Sequence, residues 1–230
     1  MTIAVAAFET DQEMTWEYNT AYQGVPSLML ALGQAQYTDS FGNPPYIILA
    51  DSFKAVVQPN NHGASLFCAS VGFAYAGTNN QRIQHGTAES DEEFTVQLNG
   101  FTGLPCVFLS LQNAWYPGAF GYIPKVVSAS QDSVTINPCN RGGITHWVAI
   151  GPGAPATVAK VQTVVQQSDT DFVWTFNSSF DAPPTIIVTL QNGSYRGAIG
   201  HQPQIADVGR TSATIRPFNS GCIVNCVAFG

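Results

Sequence analysis

The sequence predicts an all-β protein made of three tandem antiparallel β-sandwiches, each small and each with about six strands. Three observations predict this fold. One segment occurs three times at a fixed interval of 79 residues, short apolar stretches are separated by polar turns, and the chain holds 21 Gly and 14 Pro among 230 residues. Charged residues are only 10% of the chain, against roughly 25% in ordinary soluble domains. This composition favours short strands joined by turns over long charged helices.

The repeat is clearest in three segments, GVPSLMLALGQAQY at 24–37, GLPCVFLSLQNAWY at 103–116 and APPTIIVTLQNGSY at 182–195. Chance matching over a unit of this length would give less than about one column that is identical in all copies. Seven such columns are present: Pro26/Pro105/Pro184, Leu32/Leu111/Leu190, Tyr37/Tyr116/Tyr195, Pro59/Pro138/Pro217, Asn61/Asn140/Asn219, Gly63/Gly142/Gly221 and Gly72/Gly151/Gly230. The repeat therefore divides the chain into unit 1 (1–73), unit 2 (74–152) and unit 3 (153–230).

The strands within a unit follow from its hydrophobic pattern. An aromatic strand comes first, because segments such as FVWTF at 172–176 alternate apolar and polar side chains. A turn containing Asn19, Asn99 or Asn177 follows it. The apolar run after the shared proline, such as TIIVTL, is long enough to be buried on both faces. The next strand again alternates apolar and polar side chains, as in KAVVQ, SVTIN and SATIR. A closing apolar strand follows the Pro-x-Asn-x-Gly turn.

A unit of about 77 residues buries only some 60–65% of its unfolded surface, so it would be marginally stable alone. Three linked copies can bury their flanks against one another, and we expect a ring with pseudo-threefold symmetry. Separate beads on a string are the alternative. The linkers AYAGTNNQRIQHGTAESDEE and PGAPATVAKVQTVVQQSDTD are each expected to include the first strand of the next unit.

Charge and hydropathy argue against several classes of partner. The net charge is −7 and the eight Lys and Arg are scattered, whereas a nucleic-acid partner requires a concentrated basic face. No run approaches the ~20 apolar residues of a membrane-spanning helix. The start, MTIAVAAFETD, lacks the basic region of a signal peptide. The sequence thus predicts neither a nucleic-acid nor a membrane partner.

Titratable and reactive residues do not form a catalytic or metal-binding pattern. The five cysteines lack CxxC spacing and are predicted to be buried reduced thiols. The histidines occupy unrelated repeat columns, and no P-loop, GxSxG or dinucleotide motif is present. Acids cluster at 89–93, where a solvated loop is favoured over a weak calcium site. We therefore predict no enzymatic activity, no cofactor and no metal.

Unit 3 resembles the H-type lectin domain in the segment FVWTFNSSFDAPPTIIVTL and in the later SATIRPF. Unit 2 supplies the late Trp-x-Ala strand of that family as HWVAIG, with Trp147, Val148 and Ala149. The resemblance implies a six-stranded sandwich that assembles as a trimer, here covalently linked in one chain. It also implies sugar recognition, typically of N-acetylgalactosamine, in clefts between adjacent protomers. The Trp-His pair of galactosamine-binding members is not found in the corresponding loops PNNHG, PCNRG and PFNSG.

Sugar recognition requires an aromatic face and a few convergent polar groups. The repeat places a tyrosine after the apolar strand and an asparagine in the turn before the closing strand. The candidate ligand-binding residues are Tyr37, Tyr116, Tyr195, Trp115, Asn61, Asn140, Asn219 and Arg141. A structural role is the alternative, because tyrosines at strand ends often pack with a bonded hydroxyl and Asn before Gly suits a turn.

These patterns lead to two functional hypotheses. The first is a non-enzymatic carbohydrate-binding adhesion protein, a phage or viral virion component of the tail or fibre. Such a protein is assembled in the host cytoplasm and gains avidity from three weak sites. The second is a purely structural virion protein, such as a capsid decoration, collar or baseplate part, which binds other virion proteins. The unlike residues His62, Arg141 and Ser220 in one repeat column favour docking or only one working sugar site, and a higher-order homo-oligomer is left open.

Overall fold

The computed structural model describes residues 2–10, 12–19, 21–33, 45–59, 65–72, 83–112, 124–138, 142–151, 161–191, 203–217 and 223–230. These residues form strands and turns and contain no helix, so the all-β prediction is confirmed. For the same part of the chain, no apolar helix of membrane-crossing length exists. The predicted unit boundaries at 73/74 and 152/153 lie outside the described residues.

Within the described ranges, six strands fall in each predicted unit. In unit 1 they are β1 (Thr2–Glu9), β2 (Met14–Glu17), β3 (Ser27–Gly33), β4 (Tyr46–Ala50), β5 (Lys54–Gln58) and β6 (Ser65–Gly72). In unit 2 they are β7 (Ile83–Glu89), β8 (Phe94–Gln97), β9 (Cys106–Gln112), β10 (Lys125–Ala129), β11 (Ser133–Asn137) and β12 (Ile144–Ile150). In unit 3 they are β13 (Val161–Gln167), β14 (Phe172–Thr175), β15 (Thr185–Gln191), β16 (Gln204–Val208), β17 (Ser212–Arg216) and β18 (Ile223–Phe229).

The 18 strands of the described residues pair into three six-stranded sheets, and each sheet combines two units. The strand orders are β1-β6-β3-β16-β17-β14, β13-β18-β15-β10-β11-β8 and β2-β5-β4-β9-β12-β7. Each sheet therefore takes the first, last and third strands of one unit and the fourth, fifth and second strands of another. The same order recurs three times.

One short parallel pairing joins the two halves of each sheet, and we call these three pairings the seams. They pair Gly33 with Ile205, Gln112 with Ile47, and Gln191 with Val126. The seams join unit 1 to unit 3, unit 2 to unit 1 and unit 3 to unit 2, so the connection is cyclic. This cyclic pairing agrees with the pseudo-threefold ring and not with separate beads.

The third and sixth strands of each unit are almost entirely buried on both faces, as the long apolar run predicted for the third strand. Every residue of β9 is buried. Along β3, Leu28 and Leu30 pack into a cluster belonging to unit 1. Met29 and Ala31 point the other way, into a cluster that includes Phe108 and Ile187 and so draws on all three units. One face of the strand thus builds the sandwich, and the opposite face builds the centre of the molecule.

Several repeated columns have a local explanation. Each shared proline immediately precedes a buried strand, where its missing N–H is tolerated: Pro26 before β3, Pro105 before β9 and Pro184 before β15. Gly142 has φ +63°, a left-handed conformation that glycine adopts without steric cost. The matching positions Gly63 and Gly221 lie outside the described residues.

Two groups of strands show what the sequence pattern could and could not locate. The linkers do contain the first strand of the next unit, β7 and β13, as predicted. The fourth strand of each unit was not located from the sequence. A register shift interrupts β4 between Ile47 and Leu49, and equivalent shifts occur in β10 and β16. Such a bulge breaks the alternation that identifies a strand.

Candidate functional site

The ends of the strands bring the predicted ligand-binding segments to one place in each unit. In unit 1, β3 ends at Gly33, which pairs with Ser65 at the start of β6. Tyr46 at the start of β4 pairs with Gln58 at the end of β5. The segments 34–44 and 60–64 therefore connect neighbouring strand ends. We call these two segments and their equivalents, 113–123 with 139–141 and 192–202 with 218–222, the loop rim.

The loop rim is attached beside the seams. Gln112, which ends β9, pairs both with Ile144 of its own unit and with Ile47 of unit 1. Gln191 likewise pairs with Ile223 and with Val126. The strand ends that anchor the segments of one unit thus adjoin the strand ends of the next.

All eight predicted ligand-binding residues belong to the loop rim and lie outside the described residues. They are Tyr37, Tyr116, Tyr195, Trp115, Asn61, Asn140, Asn219 and Arg141. The structure describes the strands that carry them, and their role in binding stays a prediction.

A buried polar link crosses from unit 2 to unit 1 next to this rim. The imidazole of His146 is fully buried, and its Nε2 lies 2.7 Å from Oε1 of Gln112. The backbone N–H of Leu28 donates to Nδ1 of His146 at 3.2 Å, and the N–H of Leu30 donates to Oγ of Ser110 at 2.9 Å. Side chains of unit 2 therefore satisfy backbone donors of β3 that its sheet partners leave open.

These contacts fix the protonation of His146. Because Nδ1 accepts a hydrogen bond from Leu28, the ring proton is on Nε2 and is donated to Gln112. Burial lowers the pKa of His146 to about 4, so the ring is neutral at pH 7. Both nitrogens are engaged and the ring is closed to solvent, which makes His146 a structural link and not a proton-transfer group for an external substrate.

A second histidine makes a similar link between the same two units. Nδ1 of His85 in β7 lies 3.0 Å from Oγ of Ser27 in β3. The Ser27 hydroxyl donates to the carbonyl of Gly86 at 3.0 Å, so it accepts from His85 and the ring proton is on Nδ1. Burial also lowers the pKa of His85 to about 4.

We call the contacts between the central strands of neighbouring units the junctions. The three junctions share their backbone geometry but differ in the side chains that meet there. Ser110 and His146 are cross-strand partners in unit 2, and the equivalent pair in unit 3 is Thr189 and Asn225. In unit 1 the pair is apolar, Ala31 and Phe67. Asn225 is fully buried, and neither atom of its amide has a hydrogen-bond partner among the described residues.

The other candidate chemical groups have structural roles where they are described. Oδ1 of Asp91 accepts the N–H of Gly142 at 2.7 Å, which ties the acidic loop to the turn before β12. No group of three or more His, Cys, Asp or Glu side chains suited to a metal ion occurs within the described ranges. Cys68, Cys106 and Cys226 are free and buried, which confirms the thiol prediction for these three residues.

Two glutamines that the sequence did not single out hold the asparagine turns. In unit 2, the side chain of Gln84 bonds both the N–H and the carbonyl of Asn99. In unit 3, Gln162 accepts from the N–H of Asn177 at 2.6 Å and donates to the carbonyl of Ser178 at 2.7 Å. In the sequence these glutamines are marked only by their shared position in β7 and β13. The equivalent position in unit 1 is Ala4.

Compared with known proteins, the chain matches no family model, no curated protein and no solved structure. The resemblance to the H-type lectin domain therefore stays a prediction.

Proposed function

We propose that the protein is a non-enzymatic carbohydrate-binding adhesion protein, a phage or viral virion component of the tail or fibre that acts through three lectin-like units. One observation carries this proposal. In each unit, the two segments that hold the repeated Tyr and Asn connect strand ends that lie side by side, and these ends adjoin the next unit at a seam. Sites between adjacent protomers are also what the resemblance implies.

The residue types of the loop rim suit a sugar. Tyr37, Tyr116 and Tyr195 offer aromatic faces for the apolar side of a pyranose ring, and Trp115 adds a second one in unit 2. The amides of Asn61, Asn140 and Asn219 can both donate to and accept from hydroxyl groups.

Three such sites in one molecule would act together on a repeated glycan. Each site would bind weakly by itself. Because one chain carries all three rims, the second and third contacts become intramolecular, and avidity can exceed single-site affinity by about 10²–10⁴. This gain would be lost on a ligand that presents a single sugar.

A glycan array with the intact protein tests the proposal, followed by titration of each hit. Tyr37→Ala, Tyr116→Ala and Tyr195→Ala should each weaken binding to a multivalent glycan, and the triple variant should abolish binding at the loop rim. Val173→Ala is the control, because Val173 is 65% exposed on the edge strand β14 and belongs to none of the rim segments. No hit at millimolar sugar would rule out the adhesin.

A structural virion protein, such as a capsid decoration, collar or baseplate part, is the second candidate. It is favoured by an apolar side chain exposed at the same position of every unit, directly before the shared proline. Val25 is 52% exposed, Leu104 is 47% exposed, and Pro183 is also exposed. These residues precede the buried strands, so they lie at the strand ends opposite the loop rim.

Three equivalent apolar points suit a threefold partner in a virion. Replacing Val25, Leu104 and Pro183 with Ser should then reduce incorporation of the protein into particles while glycan binding stays unchanged. Unchanged incorporation would argue against docking through this surface.

A further inference from the structure

Unit 1 has an open groove of about 420 Å³, and its described lining includes none of the eight predicted ligand-binding residues. Its walls are the end of β2, the turn that follows, and the tip of the hairpin between β4 and β5. The lining residues are Glu17, Tyr18, Asn19, Ala21, Phe53 and Lys54. The volume falls within the range of about 300–1,000 Å³ that is typical of small-ligand sites.

The hairpin tip that forms one wall is held by hydrogen bonds. Oδ1 of Asp51 accepts the N–H groups of Phe53 and Lys54 at 2.7 and 2.8 Å. These bonds hold the pKa of Asp51 below its usual range, so the carboxylate is ionised at neutral pH. The N–H of Tyr18 donates to the carbonyl of Phe53 at 2.9 Å and ties the tip to the opposite wall. The groove is therefore formed before any ligand binds.

Phe53 is the most unusual residue of the groove. Its side chain is 63% exposed although the backbone around it is fixed. The equivalent hairpin positions hold Asp132 in unit 2 and Thr211 in unit 3, with the same backbone bonds from Leu98 and Phe176. The turn itself therefore does not need an aromatic side chain, and Phe53 is free to serve a ligand.

The charges of the groove balance each other. Glu17 and Lys54 are directly opposed cross-strand partners, and both are exposed. The lining residues thus offer carboxylate and amide acceptors together with ammonium and amide donors, and their own two charges cancel. A neutral polyhydroxylated ring with one apolar face satisfies both the polar groups and the exposed aromatic ring.

We propose that this groove binds a single hexopyranose residue of a glycan, as a sugar site found in unit 1 alone. The Phe53 ring stacks on the apolar face of the sugar, and Glu17, Asn19 and Lys54 bond its hydroxyl groups. The inference rests on the proposed adhesive function but uses a different part of the molecule. The hairpin tip is bonded to Tyr22, which packs against Gly72, whereas the loop rim is anchored at Ser65, the other end of β6.

Saturation-transfer NMR tests the groove with methyl glycosides of galactose, glucose, N-acetylgalactosamine and N-acetylglucosamine. Each is used at about 1–50 mM, because an open site is expected to have a dissociation constant on the order of millimolar. The starting protein is the Tyr37→Ala/Tyr116→Ala/Tyr195→Ala variant, which lacks the aromatic residues of the rim. At least one glycoside should still bind. Adding Phe53→Thr should weaken that binding at least tenfold, and Glu17→Gln should weaken it severalfold.

Phe53→Thr is a conservative test of the fold because unit 3 has Thr at this position of the same turn. Val173→Thr is the matched control for loss of an exposed apolar side chain. If the triple tyrosine variant binds no glycoside while the parent does, the groove site is wrong and the rim sites survive. If Phe53→Thr leaves the binding of the triple variant unchanged, the groove site is also wrong, because the sugar then binds elsewhere. If the parent protein binds no glycoside at all, the groove and the adhesive function both fail.

Discussion

Gly72 shows at the scale of one residue why the closing glycine is repeated. It ends β6, and a Cβ added there would lie 2.6 Å from a ring carbon of Tyr22. Phe180 packs in the same way against Gly230 in unit 3. The aromatic residue that follows the asparagine turn and the glycine that closes the unit are therefore one packing pair, and each explains the other's place in the repeat.

Gly72→Ala should destabilise the protein by about 1–3 kcal/mol, because the Tyr22 ring is fully buried and has little room to shift. Gly24→Ala is the matched control, since a Cβ there meets nothing within 4 Å. Its effect should stay within about 0.5 kcal/mol. Urea unfolding at pH 7 measures both variants. Equal stability of the two variants would contradict the packing explanation.

The described thiols should be unreactive in the native protein. Burial raises the pKa of Cys68 and Cys226, and it raises the pKa of Cys106 to about 11. Thiolate, the reactive form, is therefore scarce and shielded. With an aromatic disulfide reagent at pH 8, no more than two of the five cysteines should react within minutes, and all should react in denaturant. Three or more fast thiols in the native protein would contradict the buried positions.

At the scale of strands, the contact of β3 with unit 2 depends on two neutral histidines. His146 accepts from the N–H of Leu28, and His85 donates to Ser27. A proton added to Nδ1 of His146 would face the Leu28 donor and break that bond. The equivalent positions in unit 3 are Asn225 and Thr163, which do not titrate. Acid sensitivity is therefore expected at one of the three junctions.

Stability should fall as the pH falls from about 6.5 to about 4. In this range the unfolded chain binds protons at His85 and His146, whose pKa values return to 6.5, while the folded chain does not. Each histidine contributes at most about 1.4 kcal/mol per pH unit, and neither contributes above this range. Urea unfolding between pH 4.5 and 7.5 should show a smaller slope for His146→Asn and His85→Thr than for the parent. An unchanged slope in both variants would contradict the link.

The sequence predicted those strands whose side chains either alternate between apolar and polar or are uniformly apolar. β2, β5 and their equivalents were found because one face of each is less exposed than the other. β3 and its equivalents were found because both faces are buried. β4 was missed because the register shift between Ile47 and Leu49 disturbs the alternation. The candidate site was predicted only as far as the repeat could mark it, since Phe53 and His146 each occur in one unit and leave no repeated column.

At the scale of the whole molecule, the sharing of sheets could not be predicted from hydrophobic pattern. Periodicity shows which face of a strand is buried, but not which strand lies at its edge. Each seam is one parallel rung made by backbone groups, and Gly33 and Gln112 occupy equivalent seam positions. The ring does not remove the sheet edges, because each described sheet still ends in two edge strands, such as β1 and β14. What the ring buries is the centre, where the three units meet.

Because every sheet spans two units and one core cluster spans all three, the protein should unfold in a single cooperative transition. Phe108→Ala tests this most directly, since Phe108 is fully buried in that central cluster. We expect a loss of about 3–5 kcal/mol, and the entire transition should move to lower temperature while its calorimetric and van't Hoff enthalpies stay equal. Val173→Ala, at an exposed position, should leave the transition in place. If calorimetry resolved several transitions and only the one belonging to unit 2 moved, the units would fold independently and the shared centre would not hold them together.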